Sequence, residues 1–139
     1  MHDHLRLSNQ LCFPLYALSR EIIRRYTPLL EPLDLTYPQY LVMLVLWEFG
    51  ELGVSEIGEK LHLDSGTLTP LLKRLQTKGL IKRTRSAQDE RAVKISLTEQ
   101  GQSLENQAID IPNAMASCLN LTADEIVLLQ KLIKQNRPM

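Results

Sequence analysis

Two cysteines, Cys12 and Cys118, are the residues of this 139-residue chain best suited to redox chemistry. A cysteine thiolate attacks a peroxide, whereas the neutral thiol hardly does, and the sulfenic acid that forms condenses with a nearby thiol to a disulfide. Ser8 is a plausible N-cap of a first helix, which would hold Cys12 in its first turns, where unpaired N–H groups favour a negative charge. In the alternative interpretation both cysteines are small apolar residues of the core.

A long helix is expected around the first cysteine. Apolar residues recur at three- and four-residue steps from Leu11 to Ile23, and they predict an apolar helix face that runs to about Tyr26. Pro14 falls inside this pattern, where it removes one backbone donor and crowds an earlier carbonyl. The sequence therefore predicts a helix that is kinked or distorted close to Cys12.

A central helix and the first half of a helix pair follow. Residues 27–36 contain two prolines and are interpreted as a connection. Thr36 is expected to cap a second helix that is apolar almost all round as far as Trp47, which is typical of a helix buried on most sides. Val54 is expected in a short strand, and Ser55 is expected to cap a third helix.

The next segment has the order of a winged helix-turn-helix. A fourth helix is predicted to begin at Asp64 and to end at Gly79 in a left-handed conformation. Two residues join it to the third helix, which fits a helix-turn-helix. Alternation of apolar and polar residues in 80–85 and 92–97, around the polar turn 86–90, predicts a two-stranded hairpin. The fold is thus expected to be mainly α-helical with a small β-hairpin wing.

Positive charge is concentrated on this segment although the formal net charge of the chain is zero. Eight basic and only two acidic residues lie between Lys73 and Lys94, so one face is expected to attract a polyanion. Short hydroxyls let a helix approach base edges in the major groove, and hairpin arginines can contact phosphates or a narrow minor groove. The candidate DNA-contacting residues are Ser65, Thr67, Thr69, Lys73, Arg74, Arg83, Arg85, Asp89 and Arg91. A solvated charged surface and a protein-binding surface are the alternatives.

The remainder of the chain predicts two further helices. Thr98 is expected to start a fifth helix, which Pro112 breaks or bends, and residues 122–135 form a sixth with an apolar face. The length and the 44% hydrophobic content suit one globular domain over residues 1–139.

Several classes of site are not expected. No apolar run is long enough to cross a bilayer, and the N-terminus lacks the layout of a signal peptide, which predicts a cytoplasmic protein with no membrane partner. His2 and His4 lack the ligand spacing of a known metal site with Cys12, so neither a metal nor another cofactor is expected.

Two groups of motifs resemble a known family. The segment 64–75 (DSGTLTPLLKRL) and the wing 85–91 (RSAQDER) resemble the MarR family of transcription regulators. The segments 9–13 (NQLCF) and 35–41 (LTYPQYL) are similar to one branch of it, the organic hydroperoxide resistance regulators. The resemblance covers about residues 5 to 135.

The resemblance implies an obligate homodimer and a division of the chain. Residues 5–35 and 98–137 would supply the dimerisation helices, and residues 36–97 the winged helix-turn-helix. Each subunit would place its recognition helix in the major groove of a pseudo-palindromic duplex DNA operator.

The resemblance also implies the role of the sulfur atoms. Cys12 would be the sensor of an organic hydroperoxide, Tyr26 and Tyr37 would donate hydrogen bonds to it, and Tyr16 would be a third pocket tyrosine. Cys118 would close an intersubunit disulfide with Cys12, and the oxidised repressor would release its operator. A MarR-type repressor controlled by a small phenolic or anionic ligand is the alternative. A thiol peroxidase is disfavoured, because an enzyme has no need of a DNA-reading surface.

Overall fold

The computed structural model describes residues 1–85, 88 and 92–137, and within them the chain is mainly α-helical with a small antiparallel sheet, as predicted. None of the described helices is both long and apolar enough to span a membrane. The helices are α1 (Phe13–Leu30), α2 (Tyr37–Phe49), α3 (Val54–Leu61), α4 (Ser65–Thr77), α5 (Glu99–Ala108), α6 (Ile111–Cys118) and α7 (Ala123–Gln135). The strands are β1 (Leu52–Gly53), β2 (Ile81–Arg85) and β3 (Val93–Leu97).

The first helix begins later and ends later than the sequence pattern predicts. The residues from Asp3 to Asn9 form two short 3₁₀ turns, and Cys12 is the N-cap of α1 rather than a residue of its first turns. Pro14 does not interrupt the helix, because in the first turn its missing N–H has no intrahelical partner. At the other end α1 continues past Pro28 to Leu30, whose side chain is buried in the core.

The second helix is the centre of the fold, as predicted. The Thr36 hydroxyl accepts a hydrogen bond from the Gln39 N–H, and the Gln39 amide oxygen accepts one from the Thr36 N–H in return. This reciprocal cap fixes the start of α2. Val42, Met43 and Leu46 are at most 1% exposed, so the middle of α2 is surrounded by other elements of the core.

The sheet has one strand more than the hairpin that the sequence predicts. Its order is β1-β3-β2, with Leu52 opposite Ile95 and Ile81 opposite Leu97. Val54, predicted to lie in a strand, is instead the first residue of α3, and the N-cap is Gly53 rather than Ser55. A two-residue strand is defined by its distant partner β3, which local alternation cannot reveal.

The C-terminal helices leave apolar surface uncovered in the single chain. The helix predicted after Thr98 is divided at Pro112 into α5 and α6, as expected of a proline there. α7 lies where a helix over residues 122–135 was predicted, with Thr122 as its N-cap, but it buries none of its own residues. Apolar residues just before α1, in its first half and in α7, which the sequence predicts to form apolar helix faces, are exposed: Leu11, Leu15, Leu18, Ile126, Leu132 and Ile133.

A glycine shapes the turn between α3 and α4. The Leu63 N–H donates to the Gly58 carbonyl at 2.9 Å, which folds the turn back onto α3. A Cβ atom on Gly58 would lie 2.8 Å from the Leu63 carbonyl oxygen, closer than a carbon atom can approach it. At position 66, on the exposed side of α4, a Cβ would meet only the Asp64 carboxylate oxygen, at 3.9 Å.

We therefore expect Gly58→Ala to lower the free energy of unfolding by about 1–3 kcal/mol, because the turn must move away from the added methyl group. Gly66→Ala is the matched control, expected to be neutral or to stabilise by about 0.5–1 kcal/mol through lower chain entropy. Urea unfolding of both variants checks this, and equal effects would contradict the close contact.

Candidate nucleic-acid interface and thiol sites

The first turn of α4 is held by its N-cap. The Asp64 carboxylate accepts a hydrogen bond from the Thr67 N–H at 2.8 Å. Hydrogen bonds from the Thr67 hydroxyl and from its N–H hold the pKa of Asp64 below its usual range. The ionised carboxylate therefore stabilises this end of the helix, where the helix dipole favours negative charge.

One side of α4 faces the core and the opposite side faces outward. Its buried residues are Leu68, Leu71, Leu72 and Leu75. The side chains left exposed include four of the predicted DNA-contacting residues: Ser65, Thr67, Lys73 and Arg74. Thr69 is half-buried, because it lies at the edge of the leucine stripe. The exposed face carries two hydroxyls at its start and two cations further along, which suits a helix that enters a major groove.

The two predicted wing arginines of β2 differ in exposure. Arg85 is exposed, whereas Arg83 is half-buried. Arg83 is opposite Ile95, which is fully buried, and it lines a groove of about 1260 Å³ between the hairpin, α3 and the start of α4. Asp89 and Arg91, the other two wing candidates, lie outside the described residues.

The thiol of Cys12 is exposed at the start of α1. Its carbonyl accepts a hydrogen bond from the Tyr16 N–H at 3.2 Å, and α1 extends for 18 residues beyond it. The unpaired N–H groups and the dipole of a helix favour negative charge at this end. Within the described part of this single chain, no hydrogen bond joins the Cys12 sulfur to a tyrosine hydroxyl.

Two of the three predicted pocket tyrosines lie together, with a third ring that sequence reasoning missed. The ring centroids of Tyr26 and Tyr37 are 4.6 Å apart, and those of Tyr26 and Tyr40 are 5.8 Å apart. Tyr40 follows Tyr37 by three residues in α2, a spacing that signals a shared helix face. Tyr16 lies apart from this tyrosine cluster: it is exposed, and its hydroxyl accepts a hydrogen bond from Arg20 at 2.9 Å.

The tyrosine cluster consists of protonated phenols at neutral pH. Burial raises the pKa of Tyr26, Tyr37 and Tyr40, and the neighbouring Tyr26 raises it further for the other two. A neutral phenol keeps its O–H donor. These hydroxyls can therefore donate hydrogen bonds to an anionic sulfur.

The second cysteine is exposed at the last residue of α6. Its carbonyl accepts a hydrogen bond from Arg25 of α1 at 2.5 Å, and Arg25 also pairs with Glu21 at 3.2 Å. This contact ties the end of α6 to α1. Because Arg25 and Cys118 are far apart in sequence, no local pattern could have indicated it.

Comparison with known proteins places these features in one family. The family model described as transcriptional regulator SarA/Rot matches residues 24–108. The organic hydroperoxide resistance transcriptional regulator of Bacillus subtilis (strain 168) is 51% identical over 131 residues, which cover 94% of this chain and 89% of that protein. The chain belongs to the MarR family of transcription regulators. Within the family it falls in the organic hydroperoxide regulator branch, as its motifs predicted.

Solved structures of AbfR, a protein of Staphylococcus epidermidis, are similar to this chain in several states. Reduced AbfR bound to DNA has a TM-score of 0.81 and 38% identity, with 96% of this chain and 94% of that chain covered. Disulfide-formed AbfR has a TM-score of 0.68 and 40% identity, with coverage of 96% and 93%. The backbone of this MarR-family chain is thus closer to the reduced, DNA-bound state of AbfR than to its disulfide state.

The tyrosine cluster makes a prediction about alkaline pH. Because the folded-state pKa of Tyr37 lies above the ordinary value of 10.0, the unfolded chain loses its phenolic proton first. Stability is therefore retained below pH 10.0 and falls as the pH rises towards the raised pKa. We expect a shallower fall in Tyr37→Phe than in the parent, measured by urea unfolding on either side of this pH. Parallel curves would contradict the raised pKa.

Proposed function

We propose that this protein is a homodimeric repressor that releases duplex DNA when an organic hydroperoxide oxidises Cys12. The observation that carries the proposal is the position of that thiol: it is exposed at the N-terminal end of a long helix, in a chain that also presents a DNA-reading helix. The protein would act in the cytoplasm, where it meets its operator. It would be oxidised once by each peroxide signal and would not turn over peroxide as an enzyme does.

Residues 36–97 are proposed as the DNA-binding part. Ser65 and Thr67 would meet base edges in the major groove, and Lys73 and Arg74 would meet the flanking phosphates. Arg85 would reach the backbone or the minor groove beside the wing. The exposure of these five side chains supports the assignment. The roles of Thr69, Arg83, Asp89 and Arg91 in DNA contact remain predictions.

The uncovered apolar faces support a dimer built from residues 5–35 and 98–137. Leu128, Ile133 and Leu15 are each at least half exposed, and α7 buries none of its residues within its own chain. A monomer gains nothing from contiguous apolar surface in water, whereas two copies can bury it against each other. The dimer would hold two α4 helices at a fixed spacing on a pseudo-palindromic operator.

The proposed sensing reaction begins at the exposed thiolate of Cys12. Its sulfur attacks the outer oxygen of the hydroperoxide, the O–O bond breaks, and the leaving alkoxide takes a proton to become an alcohol. Cys12 is thereby oxidised to a sulfenic acid. Tyr26 and Tyr37 make no hydrogen bond to Cys12 of their own chain. We propose that in the dimer these two tyrosines of one subunit donate hydrogen bonds to the Cys12 sulfur of the other.

The second step would form a disulfide between subunits. The Cys118 sulfur attacks the sulfenic sulfur of Cys12, the S–S bond forms, and the sulfenic oxygen leaves as water. Because a disulfide requires Cα atoms within roughly 7 Å, the end of α6 must come to the start of a partner α1. We propose that this movement takes the two α4 helices out of register with the DNA.

Control by a small phenolic or anionic ligand has weaker support. The apolar groove of about 560 Å³ beside Tyr40, Trp47 and Ile109 is also lined by Glu48 and Glu105. Two carboxylates in the lining disfavour an anionic ligand. An exposed thiol, by contrast, is what peroxide chemistry requires.

Two cysteine variants test the proposal. The DNA probe is a labelled duplex that the parent protein selects from a randomised pool. We expect reduced Cys12→Ser to bind this duplex with the affinity of the parent and to remain bound after cumene hydroperoxide is added. Cys118→Ser is the matched control: it should lose the peroxide-induced dimer band on a non-reducing gel. Fluorescence anisotropy measures DNA binding. Peroxide-driven release from Cys12→Ser would refute the sensing role of this thiol.

A further inference from the structure

One lysine of the basic segment points into the molecule. Lys78, the residue directly after α4, has a side chain that is only 28% exposed. Its ammonium donates to the Gln39 amide oxygen at 2.9 Å and to the carbonyl of Asp34, and it lies 3.8 Å from the Asp34 carboxylate. Two of the three ammonium donors are thus engaged by the Gln39 amide and the Asp34 carbonyl, and the Asp34 carboxylate adds a longer ionic contact. Lys78 therefore differs from Lys73 of α4, which is exposed and free to meet a phosphate.

The acceptor side of this contact is built into the start of α2. Gln39 is the buried polar residue of the described chain, with 2% exposure. Its amide oxygen accepts from the Thr36 N–H at 3.1 Å as well as from Lys78, so one atom joins the N-cap of α2 to the C-terminal end of α4. Asp34, two residues before Thr36, has a left-handed backbone conformation with φ 55°. Its backbone carbonyl oxygen faces the Lys78 ammonium.

The position of the contact links the two functional regions. Tyr37, a member of the tyrosine cluster, is the first residue of α2 and lies between Thr36 and Gln39. A displacement of the Tyr37 backbone would move the reciprocal cap, because both hydrogen bonds of the cap join the residues on either side of Tyr37. The cap in turn holds the end of α4 through Lys78. A polar chain of contacts thus runs from the tyrosine cluster to the recognition helix.

We infer that Lys78 is a positioning residue, which locks the C-terminal end of α4 to the start of α2 through Gln39 and Asp34. In this role Lys78 contributes to DNA affinity by orienting the exposed face of α4, without touching the DNA. It also transmits a displacement of the tyrosine cluster to α4. This second part rests on the proposed redox function, whereas the orienting role does not.

Salt dependence separates positioning from direct contact. A lysine that neutralises a phosphate contributes about one to the slope of log affinity against log salt concentration, through release of a counterion. A lysine that only orients the helix contributes nothing to this slope. Lys78→Met keeps the aliphatic chain and removes the ammonium, and Lys73→Met is the matched control on the exposed face.

We expect Lys78→Met to weaken binding of the reduced protein to the selected duplex by about tenfold with an unchanged salt slope. Lys73→Met should reduce the slope by about one for each lysine lost. Gln39→Met removes one of the acceptors of Lys78, so it should weaken binding by no more than Lys78→Met does, again with an unchanged salt slope. The double variant should bind no more weakly than Lys78→Met alone. Fluorescence anisotropy at several salt concentrations measures all four. A reduced slope for Lys78→Met, or additive losses in the double variant, would overturn the inference.

Folding and redox controls complete the test. Circular dichroism melts establish that each variant is folded; if Lys78→Met is not, Gln39→Met carries the same test, because it leaves the lysine in place.

The parent is also compared with Lys78→Met before and after cumene hydroperoxide. A smaller peroxide-induced loss of affinity in the variant supports transmission, and an equal loss contradicts it. A parent that keeps its DNA after oxidation refutes the proposed function, while the salt-slope result still decides the orienting role.

Discussion

The burial of one leucine-lined side of α4 is the constraint on which the rest of this structure depends. Leu68, Leu72 and Leu75 are at most 1% exposed, and they pack into a core that α2 and the sheet complete. Because a helix has a fixed periodicity, burying these side chains determines which residues face outward. The hydroxyls and cations of the opposite side acquire a defined direction from apolar packing, and only a rigid helix can present them in register to a groove.

Polar contacts at both ends of α4 fix the helix further. Asp64 fixes its first turn, and at the far end the Thr98 hydroxyl donates to the Gly79 carbonyl at 2.6 Å while Lys78 reaches the start of α2. Thr98 belongs to the start of α5 and Gln39 to the start of α2. Polar contacts therefore join the recognition helix to the start of α5, which belongs to the proposed dimerisation segment 98–137. They also join it to the start of α2, which directly follows the proposed dimerisation segment 5–35.

Features that depend on a few neighbouring residues could be predicted from the sequence. The helix starts predicted at Thr36, Asp64, Thr98 and Thr122 are confirmed, and each of these residues is an N-cap, which needs only a side-chain oxygen and the next turn of the chain. The predicted start of α1 at Ser8 was wrong. Pro14 favours the first turn of a helix, and the N-cap is Cys12, two residues before it. The pairing of β1 with β3, and the contacts of Lys78 and Arg25, join residues distant in sequence, so no local pattern contains them.

Among the candidate site residues, residue type was easier to predict than environment. Cys12 is exposed at a helix start and Tyr26 lies against Tyr37, but the sequence could not show that Arg83 is half-buried or that Tyr40 completes the cluster. Exposure depends on which elements pack against a position. The long uncovered faces of α1 and α7 have the same cause, because an apolar helix face looks identical in sequence whether its own chain or a second copy covers it.

The most direct test of the central claim follows the oxidation state and the DNA occupancy of the same sample. Reduced protein on its selected duplex is titrated with substoichiometric cumene hydroperoxide, and each point is divided between intact-mass analysis and anisotropy. We expect the DNA-bound fraction to fall in proportion to the amount of Cys12–Cys118 disulfide and to return when a thiol reductant is added. Full DNA occupancy in a sample whose mass shows complete disulfide formation would contradict it.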